Sequence, residues 1–90
     1  MMKARVNTKI APLTSAQIRG ARALLRWRAE DLAREASVGV ATIRRAELTK
    51  KATLLIPATD QAIRRALERA GIEFIEENGG GAGVRFKHPS

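Results

Sequence analysis

Residues 29–47, AEDLAREASVGVATIRRAE, decide how this chain folds. Leu32, Ala33 and Ala36 fall at i, i+1 and i+4, one face of a helix predicted over about Ala29 to Ala36. A second helix is predicted from Gly39 or Val40 to about Leu48, with Ile43 and Ala46 turned inward. Ser37-Val38-Gly39 between them is too short for anything but a corner. Val38 is the one apolar residue there and is expected to plug the corner into the core.

Two short helices meeting steeply across such a turn make a helix-turn-helix unit. When a unit of this kind binds DNA, its second helix enters the major groove and its first lies across the backbone. EDLAREASVGVATIRRAE resembles the Cro/repressor-type helix-turn-helix family, the XRE-like regulators, whose pattern is roughly Q-E-x-L-A-x-x-x-G-V-S-x-x-T-I-x-x-x-E. Glu30, Leu32, Ala33, Val38, Thr42, Ile43 and Glu47 stand at matching positions. The resemblance covers roughly Thr14 to Phe74. It implies a bundle of about five helices and sequence-specific DNA binding as a dimer. Three positions depart from the pattern. The family's helix-opening Gln is Ala29 and its turn Gly is Ser37. Gly39 opens the second helix, followed by Val40 and Ala41 where polar base-reading side chains often stand.

Charge is distributed in keeping with that resemblance. The net charge is +8 over 90 residues, and residues 1–51 hold 12 Lys or Arg against 4 Asp or Glu, while residues 52–90 hold 5 of each. The whole excess lies on the half that carries the two helices, as expected of a phosphate-binding face. Hydrophobic residues make up 44% of the chain, enough for one modest core in one domain. There is no Cys, hence no disulfide framework and no thiolate metal site. No apolar run approaches the roughly 20 residues of a membrane span. Basic residues near the start are not followed by the apolar stretch of a secretory signal. A cytoplasmic protein with no membrane association is the expectation.

Three segments are expected along the chain. Residues 1–13, with Lys3, Arg5, Lys9 and Pro12, read as a basic N-terminal arm, either a solvated tail or a strand of chain along a DNA groove. Residues 14–71 form the helix-turn-helix domain. Thr14 to Gln17 has the form of a capping box that starts a helix running to about Arg26. Its inner stripe is Ile18, Ala21 and Leu25, and Trp27 covers the core edge. Leu54-Leu55-Ile56 before Pro57 reads as a fourth short helix or a core-plugging loop. Thr59 is expected to cap a last helix from Asp60 to Ala70, with Arg64, Arg65, Glu68 and Arg69 on its solvated face. Residues 72–90 alternate apolar and polar around Asn78 to Gly83 and read as a short β-hairpin, a possible dimerisation element. The predicted fold is mainly α: a five-helix Cro/repressor-like bundle with a C-terminal β-hairpin.

The candidate site follows from the docking geometry of the resemblance. Val40, Ala41 and Arg44 are the expected base readers. Val40 and Ala41 suit thymine methyls, and Arg44 suits guanine O6 and N7. Arg28, Thr42, Arg45, Lys50 and Lys51 are the expected backbone contacts. Arg22 and Glu47 are expected to pair. The family often pairs an Arg and a Glu at these positions, and a partly buried Arg independently wants a bidentate carboxylate.

The leading expectation is a transcriptional regulator, a repressor that binds a palindromic site on double-stranded DNA as a homodimer. The alternative is a protein-interaction module, or an antitoxin-like partner of a toxin or co-regulator, using the same scaffold with weak or no base reading. The half-chain charge separates the two, since an interaction module has no need of it. Enzymatic activity is not expected: the single His is His88, and Glu76 and Glu77 are neighbours that face opposite ways on a strand. No cofactor or metal is implied.

Overall fold

A computed structural model of the chain describes residues 11–50 and 53–89. Its elements are α1 (Ser15–Leu25), α2 (Ala29–Ala36), α3 (Val40–Leu48), α4 (Pro57–Arg69), β1 (Ile72–Ile75) and β2 (Gly83–Phe86). Residues 1–10 of the expected basic arm, and Lys51, lie outside the described residues.

α1 begins at a reciprocal capping box. The Gln17 amide donates to Thr14 Oγ1 and the Thr14 amide to Gln17 Oε1, each at 3.0 Å. Two of the orphan donors of the first turn are thereby satisfied. The helix ends where Arg26 turns left-handed (φ 58°), with the Trp27 amide donating back to the Arg22 carbonyl at 2.9 Å. α2 ends in the same way. Ser37 takes φ 58°, the Val38 amide bonds the Ala33 carbonyl at 3.0 Å, and Val38 packs half-buried against the core. α3 then starts at Val40 behind Gly39.

The helix count differs from the expectation. Four helices are present among the described residues rather than five. Residues 53–56 are a loop: Leu54 has φ 62°, which no right-handed helix allows, and Ile56 is extended ahead of Pro57. α4 starts three residues before the predicted Asp60. Pro57 occupies its first position, where a missing N–H costs nothing, so the helix does not wait for the Thr59 side chain.

Leu13, Ile18, Leu32, Ile43, Ile63 and Leu67 are fully buried, and Ile72 from β1 joins them at 2% exposure. Leu13 falls within the arm expected over residues 1–13. It belongs to the fold, its amide donating to Asp60 Oδ1 at 2.9 Å and its carbonyl accepting from Thr53 at 3.3 Å. Arg64 is a second correction. It is buried rather than solvated, with Nη2 donating to the Ala11 carbonyl at 2.9 Å and its guanidinium 5.0 Å from the centre of the Phe74 ring. The head finds an oxygen and a ring face, while its buried Nε has no hydrogen-bond partner among the described residues.

The hairpin pairs Ile72 with Phe86, Glu73 with Arg85, Phe74 with Val84 and Ile75 with Gly83, antiparallel. Glu73 and Arg85 add a cross-strand ion pair at 3.1 Å. β2 lies on α1. Gln17 Nε2 donates to the Gly83 carbonyl at 3.1 Å. The approach is so close that a Cβ on Gly20 would stand 3.2 Å from Val84 Cγ2.

Candidate nucleic-acid interface

α3 turns Ile43 and Ala46 into the core, which fixes what faces out. Ala41, Arg44, Arg45 and Leu48 are exposed, at i, i+3, i+4 and i+7, and so form one outward stripe. Val40, expected to read bases, is half-buried against the core and shows only part of its side chain. Thr42 is half-buried on the flank of the helix. Lys50 is exposed just beyond its end, and Arg28 is exposed at the start of α2. The structure therefore gathers Ala41, Arg44 and Arg45 on one surface and sets Arg28 and Lys50 at other positions around it.

What holds α3 in place is a set of donors on α1. Arg22 Nε and Nη2 grip the two carboxylate oxygens of Glu47 at 2.6 and 2.8 Å. Arg22 Nη1 spends its remaining reach on the Trp27 carbonyl at 2.8 Å. The side chains are 23% and 10% exposed, so the bidentate pair is largely sheltered from water. That hydrogen bond, above all, raises the Arg22 pKa above its ordinary value, against a lesser opposing effect of burial. The guanidinium is thus charged at any working pH.

Two further contacts were not anticipated. Ser15 Oγ donates to the Thr49 carbonyl at 2.5 Å, and Arg19 Nη1 to the Glu47 carbonyl at 2.6 Å. α3 has no left-handed cap of its own, since Thr49 is extended (φ −76°, ψ 159°). Thr49 Oγ1 donates to the Ala46 carbonyl at 3.2 Å, and α1 supplies donors to the Glu47 and Thr49 carbonyls from outside. The cations also oppose the negative end of the α3 dipole. A signal for this was present: Ser15, Arg19 and Arg22 are spaced i, i+4, i+7, a polar stripe beside the apolar one.

The front of the site holds a second ion pair. Arg44 Nη2 lies 2.5 Å from Glu30 Oε2, joining α3 to the first turn of α2. Both side chains are about half exposed, at 57% and 49%. The Glu30 carboxyl sits below its ordinary range, first through a hydrogen bond from its own backbone amide and then through the Arg44 charge. Asp31 is held low as well, chiefly by the Arg28 amide, which donates to Oδ2 at 2.8 Å, and then by Arg34 at 2.9 Å. That Arg28 amide bond is half of a capping box. Arg28 has no side-chain oxygen to supply the other half.

Chemically, the surface offers two guanidinium groups and a methyl on a helix fixed from behind. Among the described residues no three His, Cys, Asp or Glu side chains are grouped as a metal site would need, and no helix is long and apolar enough to cross a membrane. A scan against protein-family models finds no match, and neither does a search of curated proteins.

Proposed function

We propose that the chain is a sequence-specific DNA-binding regulator of the Cro/repressor type, acting as a dimer on a palindromic site with α3 in the major groove. The observation that carries this reading is the outward stripe of α3, Ala41, Arg44 and Arg45, on a helix clamped to α1 by Arg22 and Glu47. A clamped helix presents its side chains at fixed spacing, which base reading requires. The excess of basic residues in the same half of the chain supplies affinity for phosphate through counterion release. Arg44 then reads guanine, Ala41 meets a thymine methyl, and Arg28, Arg45, Lys50 and Lys51 meet the backbone. Occlusion of a promoter in the cytoplasm is the simplest output.

The test is fluorescence anisotropy with the DNA directly upstream of the chain's own coding sequence against a scrambled duplex, over a salt series. Preference for the upstream duplex that survives physiological salt supports an autoregulating repressor. Equal binding to both, lost steeply with salt, leaves only the phosphate attraction.

A second reading has one observation in its favour. Leu48, Leu54 and Ile56 are strongly exposed beside α3, as in a module that docks a protein partner such as a toxin or co-regulator. Absence of DNA binding even at low salt would favour it.

A further inference from the structure

α3, the loop at residues 53–56 and the first turn of α4 wall an open hollow of about 580 Å³. Much of the wall is aliphatic. Leu48, Leu54 and Ile56 belong to it and are 82%, 87% and 66% exposed, together with half-buried Leu55 and buried Ala46. Leu54 adopts φ 62°, a left-handed conformation unfavourable for a residue with a Cβ, and its side chain, nearly all in solvent, gains no packing in return. The polar part of the wall carries charge of one sign. Arg45 is the only charged residue in it, and among the described residues it has no ion-pair partner, whereas its neighbour Arg44 is taken up by Glu30. Thr49 Oγ1 donates to the Ala46 carbonyl and Thr53 Oγ1 accepts from the Leu55 amide, which leaves the hydroxyls of Thr42 and Thr59 for an occupant.

We propose that the hollow binds a small apolar carboxylic acid, its carboxylate on Arg45 and its hydrocarbon over Leu48, Leu54 and Ile56. The volume lies within the roughly 300–1,000 Å³ of small-ligand sites, whose walls are mostly apolar with a few polar groups that fix orientation. One guanidinium without a partner matches one carboxylate, which it grips by two hydrogen bonds. A dicarboxylate or a phosphate ester would set a second negative charge against aliphatic wall with no cation to meet it. Three exposed apolar side chains and one cation also fall short of the roughly 800 Å² per partner that a standard protein interface covers. The hydrocarbon gives Leu54 the contact that its backbone conformation otherwise lacks. Arg45 belongs as well to the outward stripe of α3, so the inference deepens the proposed DNA-binding reading. A bound acid withdraws Arg45 from the phosphate backbone and acts as an inducer. This regulatory half rests on that reading; the binding site does not.

The binding measurement therefore contains no DNA. Octanoate is the probe, 1-octanol supplies the tail without the charge, and acetate the charge without the tail. In NMR titrations of the full chain, octanoate should shift the methyl signals of Leu48, Leu54, Leu55 and Ile56 saturably, while those of buried Ile18 and Ile63 stay fixed. For about ten heavy atoms the dissociation constant should be on the order of millimolar. Octanol should bind roughly tenfold more weakly, and acetate should not saturate. Arg45→Gln should weaken octanoate by about the same factor and leave octanol as it was. Arg45 is exposed, so the melting curve should stay unchanged. In anisotropy titrations, saturating octanoate should loosen duplex binding by about two- to fivefold and lower its salt slope by about one, and should do neither to Arg45→Gln. Equal affinity for octanoate and octanol overturns the inference, as do shifts that never saturate or that spread over the whole surface. Signals silent to both probes overturn it and leave the face to a protein, or to a second copy where they move on dilution of the chain. A chain that prefers its upstream duplex and takes up octanoate with no change in affinity or salt slope overturns the regulatory half. A chain that prefers its upstream duplex and takes up no octanoate sinks the site and leaves the DNA reading standing. Arg45-dependent octanoate binding by a chain that binds no DNA does the reverse.

Discussion

Arg44 and Glu30 come from different helices and meet at 2.5 Å on the surface where DNA is proposed to bind. A cation already paired with a carboxylate is a poor phosphate ligand until the pair opens. Glu30 also sets a negative charge against any backbone that approaches without a base for Arg44 to read.

Glu30→Gln should therefore tighten binding to scrambled duplex by about two- to fivefold, the scale of an exposed ion pair. Arg44→Ala should cost more affinity for that duplex in the Glu30→Gln background than in the unaltered chain. Anisotropy titrations of the four proteins form a double-mutant cycle. Additive effects would mean that the pair does not mask Arg44.

Glu47→Ala leaves the Arg22 guanidinium partly buried with only the Trp27 carbonyl as partner. The loss should be about 2–4 kcal/mol by urea unfolding, somewhat under that of a fully buried pair because Arg22 keeps some exposure. Arg22→Ala combined with Glu47→Ala should cost less than the two single losses together. An unchanged melting temperature for Glu47→Ala would remove the clamp from the account.

Ser37 holds a left-handed conformation at the corner between α2 and α3, with φ 58°. Ser37→Gly removes the Cβ that opposes this conformation but loosens the unfolded chain. The net expectation is a gain of about 0.5 kcal/mol, read as a small rise in melting temperature. A fall would mean that Ser37 has a stabilising partner in solution.

Glu30 and Asp31 titrate below their ordinary values of 4.5 and 3.8. For a carboxyl depressed in the folded state, the unfolded chain binds protons more tightly, so stability rises with pH across the window. The contribution is complete above about pH 5 and is lost as pH falls through the folded values. Side-chain carboxyl NMR titration should give both midpoints below the ordinary values. Arg44→Ala should move the Glu30 midpoint up and leave Asp31 in place.

The parts of this fold that were legible in the sequence depend on neighbours within one or two turns. The capping box at Thr14 and Gln17 is local, as are the stripes of Leu32 and Ala33 and of Ile43 and Ala46. The bounds of α2 and the end of α3 followed from them. The parts that were not legible depend on distance. Arg64 is a charged residue on a helix, and nothing near it in sequence announces that Ala11 and Phe74 will enclose it. Arg44 and Glu30 are separated by a corner, so their meeting depends on how α2 and α3 cross. The sequence reading starts the last helix at Asp60 behind Thr59, and α4 starts at Pro57. Backbone fit at Pro57 prevailed over side-chain capping at Thr59.

The bond from Gln17 to the Gly83 carbonyl joins residues 66 positions apart. During synthesis α1 emerges ahead of the other described elements, and the strand that covers the Gln17 and Gly20 face follows all of them. α2 and α3, whose contact is local, are free to form while the ribosome is still at work. The nascent chain thus carries one open helix face until β2 has emerged. Folding closes when β2 docks, and a stalled or prematurely ended product displays that face to the chaperones and proteases of the cell.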